Sequence, residues 1–172
     1  MKQKILIMFL LIVTLLCGCK RAAKGNRISL ESMSFTADIT YYNEDYSADC
    51  VVDRNGNLTA VFSQPKSLAG LKFEFSPDKN TVTFNGIKIE NSDKYLPQNS
   101  VVSVIDEVFK LCNNADAKES KHNFVVKGTV GKNEYVFTAA PSGLPISLEV
   151  PDLALKVDFN NIKLANANAE GN

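Results

Sequence analysis

The sequence predicts a mainly β domain with one helix (an α+β fold), in which a curved antiparallel sheet or incomplete β-barrel carries an amphipathic helix on its concave face. Two observations predict this class. Apolar and polar residues alternate along most of the chain beyond residue 34, which is typical of antiparallel strands with one dry and one wet face. One stretch, 101–112, repeats its apolar residues at helical spacing instead.

The first half of the chain contains alternating segments that short turns connect. Asn85-Gly86 separates two of these segments, and Asn55-Gly56 lies between two others. Asn-Gly suits a two-residue hairpin because both central residues take positive φ. We therefore expect strands at 35–41, 46–53, 58–62, 71–75, 82–84 and 87–89.

The stretch QNSVVSVIDEVFKLCNN, residues 98–114, predicts an amphipathic helix of about four turns. Asn99 or Ser100 can cap its start. Its apolar stripe requires a buried partner, whereas Asp106-Glu107 is expected on the solvated side. A second, short helix over 27–32 is a weaker expectation.

Alternation resumes after the helix and predicts strands at 124–130, 134–140, 146–150, 153–159 and 162–164. Of these alternating segments, about eight or nine are expected to be antiparallel strands that share one apolar face, and a sheet of this size tends to curl or close. Packing the helix into the concavity buries both apolar surfaces. A β-sandwich is the rival architecture, and the long apolar stripe of the single helix argues against it.

The first residues predict export. Lys2 and Lys4 precede an apolar run from Ile5 to Leu16 that only Thr14 interrupts, which is the layout of a secretory signal. The run is shorter than the ~20 apolar residues that cross a bilayer comfortably. A signal peptide is therefore favoured over a transmembrane anchor.

The end of this run, Leu16-Cys17-Gly18-Cys19, resembles the bacterial lipobox. The resemblance implies a diacylglyceryl thioether on Cys19 and cleavage after Gly18, so that residues 1–18 are a lipoprotein signal peptide. Lipidation of Cys17 instead would place bulky Leu16 in a peptidase pocket for small side chains. A Cys-x-Cys metal clip is the other alternative, but it lacks the further ligands that structural zinc requires.

Residues 19–27 are then a lipidated basic tether, and the membrane is a partner through its lipid anchor. The expected location is the extracytoplasmic face of the cell membrane, or the outer membrane if the organism has two membranes. Residues 28–165 form the folded domain, and 166–172 are expected to be a disordered tail.

Net charge and cysteine content limit the partners and the chemistry that can be expected. The chain has 19 basic and 19 acidic residues, and loss of Lys2 and Lys4 with the signal leaves a net charge of −2. Without a basic stripe, no nucleic-acid partner is expected. Cys50 and Cys112 remain after cleavage, either as a candidate disulfide or as two buried free thiols, and the sequence leaves both open.

The order of elements together with the lipobox resembles the lipoprotein-carrier (LolA/LolB-like) superfamily, which includes lipid-binding lipoproteins of mycobacteria and of Gram-positive bacteria. FSQPKSLAGLKFEFSPDKNTVTFNGIKIE (62–90) and GKNEYVFTAAPSGLPISLEV (131–150) are similar in style to its hairpins. The resemblance spans about 33–164, although the long first helix of the carriers is not evident. It implies a half-barrel that binds or carries a lipidic or other apolar ligand. The candidate wall residues are Phe35, Ile39, Phe62, Phe73, Phe75, Phe84, Ile105, Val108 and Phe109.

Two other functions are weighed against a carrier. Side chains fill most small barrels, so the same residues can form a solid core in an envelope adaptor or sensor that acts through a protein partner. An enzyme is not expected, because His122 stands alone in a polar connection and no nucleophile elbow or zinc-protease motif occurs. The acidic residues of 44–53 do not match an EF-hand loop. No metal or cofactor is expected.

Overall fold

The computed structural model describes residues 28–90, 100–113, 115, 117–120 and 122–165. The signal peptide 1–18, the Cys19 lipid site, the tether and the tail 166–172 lie outside these residues and stay predictions.

A single antiparallel sheet of eleven strands, rather than the expected eight or nine, contains every strand of the described residues. It is curved and unclosed, with order β6-β5-β4-β3-β2-β1-β11-β10-β9-β8-β7. The strands are β1 Met33–Tyr41, β2 Glu44–Val52, β3 Leu58–Gln64, β4 Lys72–Glu74, β5 Thr81–Phe84, β6 Ile87–Glu90, β7 Lys118–Ser120, β8 Asn123–Val130, β9 Asn133–Ala139, β10 Pro145–Val150 and β11 Leu155–Leu164. The mainly β prediction is confirmed, and the β-sandwich alternative is wrong because there is one sheet.

Two meanders make up this sheet, and the pairing of β1 with β11 joins them. The helix, α1 (Val101–Cys112), has the predicted bounds and lies in the connection from β6 to β7. Since β6 and β7 are the two edges of the sheet, this connection must pass from one edge to the other. The topology therefore carries α1 across the sheet.

Turn chemistry agrees with the sequence at one hairpin and differs at another. Asn85 and Gly86 have φ of 49° and 80°, as the predicted two-residue turn requires. Asn55-Gly56 instead belongs to a longer loop, since Val52 pairs with Leu58 and the Asp53 carboxylate accepts hydrogen bonds from the Asn55 and Asn57 N–H groups. The carboxylate thus organises a wider turn than the dipeptide alone predicted.

Three further boundaries differ from the predictions. Residues 118–120 form edge strand β7, although their polar sequence predicted a connection. The expected strands 153–159 and 162–164 are a single strand, β11, which begins after a 3₁₀ turn at Pro151–Leu153 and has an irregular register opposite Ser34–Thr36. Residues 28–31 are irregular, so the short helix expected over 27–32 is wrong for this part.

The core lies between one face of the sheet and α1. Alternate residues of β1 are buried, and the buried side of α1 carries the aromatic ring of Phe109. Its centroid lies 5.5 Å from that of Phe35 on β1, 5.3 Å from Phe159 on β11 and 5.9 Å from Phe137 on β9. The helix therefore packs over the seam where the two meanders meet.

Candidate functional site

The candidate site is the helix–sheet interior, meaning the apolar space bounded by Phe35, Phe137 and Phe159 of the sheet and by the buried face of α1. Eight of the nine residues predicted to line a ligand site are buried, and Phe84 is half-buried on β5. The buried ones are Phe35, Ile39, Phe62, Phe73, Phe75, Ile105, Val108 and Phe109.

Five of the predicted wall residues belong to two separate aromatic groups. Phe35 and Phe109 belong to the helix–sheet interior, where their rings contact Phe159 and Phe137. Phe62, Phe73 and Phe75 form a second group toward the β6 edge, where the Phe62 and Phe73 centroids lie 5.9 Å apart and those of Phe73 and Phe75 6.4 Å apart. Ring contacts of these lengths show that side chains occupy the interior in this conformation.

Phe137 and Phe159 were not among the predicted wall residues, yet both contact Phe109. Each occupies a buried position of an alternating strand. The alternation marked them as core residues. Their proximity to α1 depends on the β1–β11 pairing, which the sequence pattern does not contain.

The two ends of α1 are held differently. At the C-terminal end, Asn113 Oδ1 accepts a hydrogen bond from the Leu30 N–H at 3.2 Å, and its Nδ2 donates to Glu31 Oε1. At the N-terminal end, Ser100 is the N-cap residue, but its side chain makes no capping bond and its Oγ lies 2.6 Å from Ser103 Oγ instead. Side-chain hydrogen bonds thus anchor the C-terminal end of the helix to the segment before β1.

Asp106 was predicted to lie on the solvated side of the helix, but the structure buries it. It is 7% exposed, whereas Glu107 beside it is exposed. Its Oδ2 accepts a hydrogen bond from Lys110 Nζ at 2.7 Å, and its Oδ1 is buried without a partner. Burial raises the pKa of the Asp106 carboxyl, and the opposing effect of Lys110 does not cancel this increase.

Cys50 and Cys112 are two buried free thiols, so the candidate disulfide between them is not formed. Burial raises the pKa of Cys50 to about 12 and that of Cys112 to about 11. The Cys112 thiol donates a hydrogen bond to Tyr135 Oη at 3.7 Å. Both side chains therefore act as small core residues, which is the alternative that the sequence left open.

Two open grooves lie away from the helix–sheet interior. One, of about 520 Å³, is at the end of the sheet where β1 begins and β11 ends, and Val51 and Leu164 line it. The other, of about 420 Å³, is lined by Asp38, Asp45 and Asp158 among others. Of the predicted wall residues, only Ile39 lines either of these grooves.

Within the part of the chain that the structure describes, no three His, Cys, Asp or Glu side chains are grouped so that they could hold a metal ion. His122 is exposed and lies in the turn before β8 with a φ of 72°. No helix among the described residues has the length and apolarity needed to cross a membrane.

Comparison with known proteins finds likeness among solved structures only. No protein-family model matches the sequence, and no curated protein matches it. The crystal structure of a LolA superfamily protein from Nitrosomonas europaea matches with a TM-score of 0.41 and 10% sequence identity, over 83% of this chain and 91% of that chain. A likeness with so low a TM-score and identity does not assign the chain to a family.

Proposed function

We propose that this chain is a lipid-anchored protein of the extracytoplasmic membrane face that binds a lipidic or other apolar ligand between α1 and the sheet. One observation carries the proposal: the α-helix of the described residues crosses an unclosed sheet and covers its aromatic interior. Because the sheet is not closed, a ligand can enter and leave between its edges. A helix that contacts the sheet mainly through apolar side chains can move away from it without breaking backbone hydrogen bonds between strands.

The rings of the helix–sheet interior contact one another, so a ligand must displace part of α1 to enter. The N-terminal end of α1 has no side-chain cap, whereas Asn113 holds the C-terminal end. We infer that α1 opens at its N-terminal end. Each methylene of an acyl chain that replaces the lost contacts contributes ~0.8 kcal/mol.

The anchor rests on the resemblance of Leu16-Cys17-Gly18-Cys19 to a lipobox. Eight residues, or nine residue steps, lie between Cys19 and Ile28, which is the first described core residue. Because an extended chain spans at most ~3.3–3.6 Å per residue, the folded domain would remain within about 30 Å of the bilayer. A short tether of this kind suits a protein that exchanges ligands with a membrane.

Ligand binding is tested by native mass spectrometry of the mature protein purified from membranes. We expect a retained apolar ligand on the wild type and a several-fold lower occupancy on Val108→Phe, which adds volume at a fully buried position of α1. Leu111→Phe is the matched control, because Leu111 is 47% exposed on the same helix. Equal occupancy on wild type and Val108→Phe, with both folded, would refute binding in the interior.

The anchor is tested by two cysteine variants. Cys19→Ala is expected to leave the chain unprocessed or released from membranes. Cys17→Ala is expected to be processed normally, since alanine is also small. Metabolic labelling with a radioactive fatty acid measures both, and a labelled Cys19→Ala protein would show that the lipobox assignment is incorrect.

A non-transporting envelope adaptor or sensor is the second candidate, because the ring contacts show a filled interior in this conformation. Affinity capture from cross-linked membranes distinguishes the two. Recovery of one defined envelope protein, with no ligand retained by the wild type, would favour the adaptor.

A further inference from the structure

One oxygen of the described residues breaks the rule that buried polar atoms have hydrogen-bond partners. Asp106 Oδ1 is the only buried side-chain nitrogen or oxygen among them that has none. A buried carboxylate oxygen in this condition is unfavourable unless something else binds it. Asp106 Oδ1 is therefore a buried acceptor without a hydrogen-bond donor in this structure.

The position of Asp106 on α1 places this acceptor at the edge of the helix–sheet interior. Residues three and four apart lie on one side of a helix, and both Val102 and Phe109 on that side are buried. Lys110, one turn further, is exposed. The Asp106 carboxylate thus lies where the apolar contact surface of the helix meets its polar side.

The neighbouring polar groups on this side of α1 are already paired. Lys110 Nζ donates to Asp106 Oδ2, and both polar atoms of the Asn113 side chain bond to the segment before β1. The Lys110 ammonium and the Asn113 amide each carry further N–H groups, but none of them donates to Asp106 Oδ1 in this structure. Asp106 Oδ1 remains for a group from outside the described residues.

We propose that Asp106 binds the head group of the apolar ligand, and that this head group is a neutral hydrogen-bond donor such as the hydroxyl of an acylglycerol. The inference rests on the proposed function and specifies its ligand class. The acyl chain lies along the helix–sheet interior, and a head-group hydroxyl donates to Asp106 Oδ1. A free fatty-acid anion is disfavoured, because its carboxylate offers no donor and is repelled by an ionised aspartate.

The test is a competition on the detergent-solubilised mature protein. Equimolar 1-monopalmitoylglycerol and palmitate are added at pH 8, and native mass spectrometry measures the ratio of the two adducts. We expect the acylglycerol adduct to exceed the palmitate adduct at least about tenfold on the wild type, as for a hydrogen bond to a charged group.

Two variants isolate the carboxylate. Asp106→Leu removes the acceptor and is expected to bring the adduct ratio close to one, while total occupancy persists because the apolar interior is intact. Asp106→Asn keeps an acceptor of the same size and is expected to retain part of the preference. Glu107→Leu is the matched control at an exposed position, and its ratio should equal that of the wild type.

The outcomes separate the two proposals. The role of Asp106 would be overturned if the wild type bound both probes equally, or if Asp106→Leu did not change the preference. Neither result would contradict ligand binding itself. Absence of either adduct on the wild type would overturn the proposed function and this inference together.

Discussion

Cys50 and Cys112 illustrate how burial determines the chemistry of a single residue. Both are free and buried, and their raised pKa values of about 12 and 11 keep them protonated at neutral pH. Because the thiolate is the reactive form, neither residue is expected to react with electrophiles in the folded protein.

A thiol-labelling experiment checks this state of the cysteines. The mature protein, prepared without reductant, is expected to incorporate no maleimide when folded at pH 7 and two when unfolded in guanidinium chloride. Intact-mass spectrometry counts the labels. Fewer than two labels after unfolding would indicate that a disulfide forms after all.

The buried carboxyl of Asp106 is expected to make the stability of the folded protein depend on pH. Its pKa is raised in the folded state, so its stabilising contribution is present below the unfolded pKa of about 3.9 and is lost as the pH rises through the folded pKa. Asp106→Asn should therefore gain stability relative to wild type as the pH rises from about 4 through the folded pKa of Asp106. Urea denaturation at several pH values measures this, with exposed Glu107→Gln as the control. A difference that stays constant with pH would contradict the assignment.

At the scale of elements, β8 and β9 depend on a close contact between a glycine and an aromatic ring. Gly128 pairs directly with Tyr135, and a Cβ at position 128 would lie 2.8 Å from Tyr135 Oη and 2.9 Å from two ring carbons. The absence of a side chain at Gly128 lets the ring lie over the strand, where Tyr135 also accepts the hydrogen bond from Cys112 at the end of α1.

Gly128→Ala is expected to lower the free energy of unfolding by about 1–3 kcal/mol, the usual range for overpacking. If the clash is with the ring, Tyr135→Leu should reduce the effect of the alanine in a double-mutant cycle. Chemical denaturation of the four proteins measures the coupling. Additive effects would show that the alanine acts on the backbone rather than on Tyr135.

At the scale of the whole molecule, the β1–β11 pairing joins two meanders into one core. Phe159 of β11 contacts Phe35 of β1, Phe109 of α1 and Phe137 of β9, with centroids 5.3–6.2 Å apart. One ring therefore links both meanders and the helix. We expect the domain to unfold in a single cooperative transition.

Phe159→Ala is expected to lower the free energy of unfolding by about 3–5 kcal/mol. Phe84→Ala, at a half-buried position near the β6 edge, is the matched control and should have a smaller effect. Tyrosine fluorescence and far-UV circular dichroism follow the transition, since the chain has no tryptophan. Two separated transitions in the wild type would mean that the meanders fold independently.

Local sequence determined much of the fold. The bounds of α1 and the Asn85-Gly86 hairpin followed from helical spacing and from the φ requirement of the turn, both of which involve neighbouring residues. Strand alternation likewise marked Phe35 and Phe73 as buried, and helical spacing marked Phe109. The acyl-anchor prediction at Cys19 also comes from sequence alone and concerns residues outside those the structure describes.

Only the tertiary structure decided which elements meet. The β1–β11 pairing joins residues more than a hundred positions apart, and it brings Phe137 and Phe159 to α1. The tertiary structure also buries Asp106, which the helical pattern had placed in solvent, and it divides five of the predicted wall residues between two aromatic groups. The physical reason is that period and turn chemistry specify which face of an element is apolar, whereas the partner of that face depends on contacts between distant parts of the chain.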